Sequence, residues 1–179
     1  AVTVAVLGLG VIGHTIACRL RDLGYAVVGW SRSGRDIEGI GSAAGVDGLE
    51  SLLPRCDFVV AALPETRETS GLIDARILSL MKPGAYVVNL GRGSLIVELD
   101  LLEALDSGHV SGAALDVFAS EPLPVEHRFW SHPKVVLTPH VGGPAQDDLD
   151  IVFDEIAENY RRFKSGQPLN NLVDRDLGY

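Results

Sequence analysis

Val2-Thr3-Val4-Ala5-Val6-Leu7-Gly8-Leu9-Gly10-Val11-Ile12-Gly13 decides the fold of this chain. The apolar, β-branched run reads as a strand buried on both faces of a parallel sheet. A G-x-G-x-x-G turn closes it, and an apolar-periodic segment follows with Ile16, Ala17, Leu20 and Leu23. Strand, glycine turn and helix in that order are the context a dinucleotide-binding fingerprint requires. Gly8 permits the tight turn, Gly10 lets backbone approach a pyrophosphate, and Gly13 lets the helix lie against the strand. The helix start then offers unpaired N–H groups and a positive dipole end to an anion. A glycine-rich turn in a flavodoxin-like or methyltransferase sheet would share part of this pattern.

Outward from that stretch, strands and helices alternate. Tyr25–Trp30, Asp57–Leu63, Ala85–Leu90, Ser111–Leu115 and Val135–Leu137 read as further strands. Leu49, Leu52 and Leu53 suggest a short helix ending at Pro54. Ile73, Ile77, Leu78 and Met81 form a helical stripe, and Val97–Leu105 an amphipathic helix closed by Ser107-Gly108. Pro144 stands as the first residue of a long helix running to about Phe163. Residues 37–46 are glycine-rich and weakly patterned, a loop or short helix, and residues 167–179 are a polar tail on the surface. The expectation is an α/β, doubly wound parallel sheet of Rossmann type in a single domain, residues 1–165, followed by a tail, 166–179. Ligands bind at the carboxyl ends of the strands in such sheets. Arg92, Asp116 and His140 all fall at such ends, on three different strands.

Composition narrows the class. The 179 residues carry 46% hydrophobic and 22% charged side chains and a formal charge of −9, with pI near 4.9. That balance suits a globular enzyme and argues against a nucleic-acid surface, which needs a basic stripe. Cys18 and Cys56 stand apart with no C-x-x-C, which points to a reducing compartment and no metal site. His14, His109, His127 and His132 show no ligand spacing. No signal peptide is visible and no apolar segment is long enough to span a bilayer, so a cytoplasmic protein is expected.

The end of the second strand selects the cofactor. An NAD site places Asp or Glu about 20 residues beyond the fingerprint, on the ribose hydroxyls. Here the chain reads Ser31-Arg32-Ser33-Gly34-Arg35, with no carboxylate before Asp36. A guanidinium flanked by hydroxyls suits a 2′-phosphate. NADP (NADPH) is therefore expected over NAD, with Ser31, Arg32 and Ser33 as its contacts.

Several motifs resemble one family in the same order. Leu63-Pro64-Glu65-Thr66-Arg67-Glu68-Thr69-Ser70-Gly71-Leu72-Ile73 is similar to an L-P-x-T-x-E-T-x-G-x-I stretch. Asn89-Leu90-Gly91-Arg92-Gly93 is similar to an N-x-x-R-G loop. Gly112–Phe118, continuing to Glu121-Pro122-Leu123-Pro124, and Thr138-Pro139-His140-Val141-Gly142-Gly143 complete the set. Together they resemble the cofactor-binding domain of the D-isomer-specific 2-hydroxyacid dehydrogenases, most closely the glyoxylate/hydroxypyruvate reductase branch. The resemblance implies cofactor contacts at Gly8, Gly10, Val11, Ile12, Gly13, Leu63, Pro64, Thr69, Leu90, Gly91, Arg92, Asp116, His140 and Gly142. It also implies a homodimer, with the helix around Val97–Leu105 a candidate contact. The family's substrate domain, built largely from residues before the first strand, is absent from this chain, which opens almost directly on that strand and reads as a fragment.

The chemistry these motifs imply is reduction of a small 2-keto acid to the D-2-hydroxy acid. Arg92 would bind carboxylate and carbonyl through its planar fork, which a lysine cannot copy. His140 would be the general acid, protonating the carbonyl oxygen, and it wants a carboxylate beside it. Taken alone, Glu121 reads as an exposed loop carboxylate; the resemblance makes it that partner. A cofactor-sensing, corepressor-like scaffold without turnover is the alternative from a different class. Phosphoglycerate and formate dehydrogenases are a third reading, disfavoured by the missing acidic end of the second strand and by glutamate rather than glutamine at Glu121.

Overall fold

The computed structural model describes residues 1–143 and 148–176. Two compact units divide the chain, Ala1–Pro139 and His140–Tyr179. The first holds the whole sheet. Its strands are β1 (Thr3–Leu7), β2 (Ala26–Ser31), β3 (Gly41–Ala44), β4 (Phe58–Ala61), β5 (Ala85–Asn89), β6 (Val110–Leu115) and β7 (Val135–Leu137). Its helices are α1 (Val11–Asp22), α2 (Gly45–Leu52), α3 (Ala75–Leu80) and α4 (Glu98–Asp106). All strand pairings are parallel, in the order β3-β2-β1-β4-β5-β6-β7. The α/β doubly wound expectation holds. The order reverses between β1 and β4, which is the switch point where such sheets bind ligands.

Side-chain alternation explains the two layers. Along β1, Ala5 and Leu7 point to one face and Val4 and Val6 to the other. The first face is covered by α2, α3 and α4, through Leu49, Leu52, Ile77, Leu78, Leu101, Leu102 and Leu105, all buried. The stripe of Ile73, Ile77, Leu78 and Met81 is core, as its spacing suggested. On the other face Ala17 of α1, with Ile16 and Leu20, packs on Val4, Val6, Val27 and Val60. Trp30, at 6% exposure, caps the larger cluster and its indole N–H donates to the Gly45 carbonyl at 2.8 Å.

One element departs from the sequence reading. Residues 37–46 are not simply a loop: Gly41–Ala44 form β3, in register with Val28–Ser31. Gly-Ser-Ala-Ala carries no β-branched or large apolar residue, so no periodicity announces it. It is an edge strand, held by backbone hydrogen bonds to β2 rather than by buried side chains.

The second unit carries α5 (Asp148–Lys164). Pro144 lies outside the described residues. The chain beyond α5 folds back on it: the Asn159 amide donates to the Asn170 carbonyl and accepts from the Asn170 N–H, and Arg162 Nε donates to the Pro168 carbonyl. Among the described residues no helix is long and apolar enough to cross a membrane.

Asp57 pins the amino edge of the sheet. Its carboxylate accepts from the Thr3 N–H at 2.8 Å and from Lys82 Nζ at 2.6 Å. Lys82, and then the Thr3 N–H, hold this carboxyl below the usual carboxylate range. A depressed native value means the ionised form stabilises the fold above the unfolded-state value, about 3.9. That contribution disappears as pH falls through the lower native value. Asp57→Asn keeps an acceptor for Thr3 but removes the charge. Urea unfolding is expected to find the variant less stable at pH 7, with the difference shrinking as pH falls below about 4 and through the lower native value.

Candidate active site

The glycine turn begins where β1 ends. Gly8 has φ +97°, a conformation that side chains rarely adopt, and a Cβ there would meet the Ala62 carbonyl oxygen at 2.7 Å. A Cβ on Gly13 would lie 1.7 Å from the Gly8 carbonyl oxygen. This close approach of α1 to the turn is the reason the third glycine exists. Gly10 is different: a Cβ there would meet nothing within 4 Å. The open space lies at the N-cap of α1, whose first turn has no side-chain cap and no acidic residue. Val11 and Ile12 are 87% and 61% exposed beside it. Uncapped N–H groups under open space suit an anion.

The turn after β2 supports the same reading. Ser31 Oγ is buried and has no hydrogen-bond partner, an orphan that a ligand hydroxyl or phosphate would satisfy. Arg32 Nη1 pairs with Glu68 Oε2 at 3.1 Å, with both side chains largely exposed. Arg35, to which the sequence reading assigned no role, donates from Nη1 to the Leu9 carbonyl at 2.7 Å and so lies against the glycine turn. Nothing in the spacing announces it.

The loop after β4 carries three of the expected contacts, Leu63, Pro64 and Thr69. Leu63 is 9% exposed and packs in the larger core cluster. Thr69 Oγ1 donates to the Pro64 carbonyl at 2.6 Å and accepts from the Thr66 N–H at 2.8 Å. The Thr66 hydroxyl also lies 3.1 Å from Thr69 Oγ1, so this hydroxyl organises the loop.

The loops after β5, β6 and β7 are stitched side by side. The Asp116 N–H donates to the Asn89 carbonyl, and the Thr138 N–H to the Leu115 carbonyl. Asp116, 4% exposed, accepts a hydrogen bond from the Thr138 hydroxyl. Gly93 abuts the next loop so closely that a Cβ would lie 1.9 Å from the Phe118 carbonyl carbon. Glu121 Oε1 accepts from the Phe118 N–H at 3.0 Å. The segments bearing Arg92 and Glu121 are therefore in backbone contact. Glu98, the first residue of α4, steadies the second segment: it accepts from the Ala119 N–H at 3.0 Å and pairs with His127 Nε2 at 3.4 Å.

Asn89 is the residue the sequence reading passed over. It is 1% exposed, its Oδ1 accepts from the Gly91 N–H at 3.1 Å, and its Nδ2 donates to the Arg92 carbonyl at 2.9 Å. One amide thus closes the turn that presents Arg92, whose own side chain is exposed. The signal was present as the N of N-x-x-R-G, three residues before the arginine. His140 and Gly142 fall in the second unit. His140 adopts φ +54°, a strained conformation for a non-glycine residue. Among the described residues no group of His, Cys, Asp and Glu could hold a metal.

The family model described as "D-isomer specific 2-hydroxyacid dehydrogenase, NAD binding domain" matches residues 1–142. The chain belongs to the D-isomer-specific 2-hydroxyacid dehydrogenase family. It is 42% identical over 176 residues to glyoxylate/hydroxypyruvate reductase A of Photorhabdus laumondii, covering 98% of this chain and 56% of that protein. The chain thus spans little more than half the length of such relatives. The fold matches the NADPH-dependent glyoxylate/hydroxypyruvate reductase of Sinorhizobium meliloti, solved with NADP and sulfate, at TM-score 0.93 and 43% identity, over 99% of this chain and 57% of that one. A family member from Xanthobacter autotrophicus Py2, solved with NADPH and MES, superposes at TM-score 0.96 with 40% identity, over 99% and 73% of the two chains.

Two substitutions test the local argument. Gly13→Ala should gain up to about 1 kcal/mol of helix propensity on an exposed helix. Here the contact with Gly8 decides, and a net loss of about 1–3 kcal/mol is expected in the urea midpoint. Asn89→Ala leaves the buried Gly91 N–H unpaired and strips the Arg92 carbonyl to its bond from the Leu95 N–H, and the same measurement should show a loss of about 1–3 kcal/mol.

Proposed function

We propose that this chain is the cofactor-binding part, residues 1–165 with a tail at 166–179, of a reductase acting on small 2-keto acids of the glyoxylate or hydroxypyruvate type. The product is the D-2-hydroxy acid and the cofactor is NADPH. The observation that carries the reading is the stitching of the β5, β6 and β7 loops, which presents Arg92 beside the Glu121 segment at the carboxyl edge of a sheet with an open glycine turn. Two of the relatives named above are glyoxylate/hydroxypyruvate reductases, the third is a 2-hydroxyacid dehydrogenase of the family, and two of the three were solved with NADP or NADPH.

The glycine turn, the α1 N-terminus and the Ser31-Arg32-Ser33 turn would hold the cofactor, with Leu63, Pro64, Thr69, Leu90, Gly91, Asp116 and Gly142 as further contacts. When bound, the nicotinamide supplies a hydride to the carbonyl carbon. Arg92 binds the substrate carboxylate and polarises the carbonyl through two N–H donors in one plane. Charge then develops on the carbonyl oxygen, and His140 donates the proton that neutralises it. Glu121 is the carboxylate assigned in this proposal as the partner of that imidazole. In oxidation the same imidazole removes the proton. A homodimer in the cytoplasm is part of the same proposal.

The test is NADPH oxidation with glyoxylate. His140→Ala should lower kcat by about 10²–10⁴. Arg92→Lys keeps the charge but loses the fork, and should raise KM for the keto acid about tenfold or more while NADPH binding is kept. Titration should give a lower Kd for NADPH than for NADH. Tighter NADH binding, or a His140→Ala variant with most of its activity, would refute the corresponding assignment.

A further inference from the structure

We infer that Glu68 sets how tightly NADPH is held, by competing with the 2′-phosphate for Arg32. The inference rests on the reading of the Ser31-Arg32-Ser33 turn as the 2′-phosphate site. Arg32 follows β2 and Glu68 lies in the loop after β4, and these strands flank β1 on opposite sides. Their ion pair, Nη1 to Oε2 at 3.1 Å, therefore reaches across the carboxyl end of β1, where the glycine turn starts. Adjacent strands lie about 4.8 Å apart, so the reach is roughly 10 Å, within the combined length of the two side chains.

The backbone that carries Glu68 is held in a closed turn. Thr69, its neighbour, donates to Pro64 and accepts from Thr66, and the Ser70 N–H donates to the Thr66 carbonyl. The carboxylate is thereby carried on a closed turn facing the arginine. Arg35, the other cation of the β2 turn, has Nη1 on the Leu9 carbonyl. Glu65, Arg67 and Asp74, the N-cap of α3, are the remaining charges of the β4 loop.

The competition is uneven. Arg32 and Glu68 side chains are 52% and 69% exposed. An exposed pair is weak and screened by salt. A phosphate monoester carries about −1.5 to −2 near neutral pH and offers three acceptor oxygens to one guanidinium. NADPH opens the pair at a small cost in affinity. NADH has no 2′-phosphate and leaves the pair closed. Glu68 therefore acts on one cofactor and not on the other.

The experiment measures Kd for NADPH and NADH, by fluorescence titration, in the parent, Glu68→Gln, Arg32→Ala and the double variant. Glu68→Gln is expected to tighten NADPH about two- to five-fold. NADH should be unchanged, and the gain should shrink in high salt. In the Arg32→Ala background Glu68→Gln should give much less. If Arg32→Ala leaves NADPH affinity unaltered, the 2′-phosphate reading itself fails. If Arg32→Ala weakens NADPH while Glu68→Gln leaves it unchanged or weaker, Glu68 orients the arginine or is idle, and the inference fails alone. An equal shift for both cofactors would also overturn it.

Discussion

The Asp116 N–H donates to the Asn89 carbonyl, and the Thr138 N–H donates to the Leu115 carbonyl. These two bonds extend the parallel ladder one step past the strands. Parallel pairing spaces its hydrogen bonds evenly, so three strands that end in register deliver three loops side by side. The loops that carry Arg92, Asp116 and Glu121 start as neighbours for that reason. Thr138, bonded to Asp116 through its hydroxyl, is the penultimate residue before the chain enters the unit that begins with His140.

Close backbone approach is the second recurring device. Gly13 against the Gly8 carbonyl brings α1 onto the end of β1, and Gly93 against Phe118 brings the arginine loop onto the glutamate loop. Both contacts exclude any side chain, and both lie at the carboxyl edge of the sheet. Gly10, between the two helix-turn glycines in sequence, faces open space instead. The edge is thus packed hard wherever the protein meets itself and left open where an anion would sit.

Polar groups follow the same division. Asn89 and Asp116 are buried and hydrogen-bonded, which holds loop geometry without leaving unpaired charge or amide. Ser31 Oγ is buried and unpartnered. Proteins tolerate such local inconsistency mainly at functional sites. The neighbouring Arg32 pairs with Glu68 in an exposed ion pair, the weak kind.

The sequence alone determined the α/β class, the glycine turn, most strands and helices and the family. Apolar runs of period two, helical stripes and a G-x-G-x-x-G spacing are local signals, and residues such as Val4 to Leu7 or Ile77 to Met81 carry them without help. Only the tertiary structure decided β3, because Gly41-Ser42-Ala43-Ala44 pairs through backbone groups that every residue possesses. It also decided that Thr69 closes its own loop, that Asn89 holds the arginine turn, that Arg35 lies on the Leu9 carbonyl and that Glu68 faces Arg32. Those partners are separated by as many as 36 residues, and side-chain pairing across such a gap has no period to read. The physical reason is the same in each case: a pattern in sequence reports which face a residue buries, whereas a hydrogen bond between loops depends on where the whole sheet carries their ends.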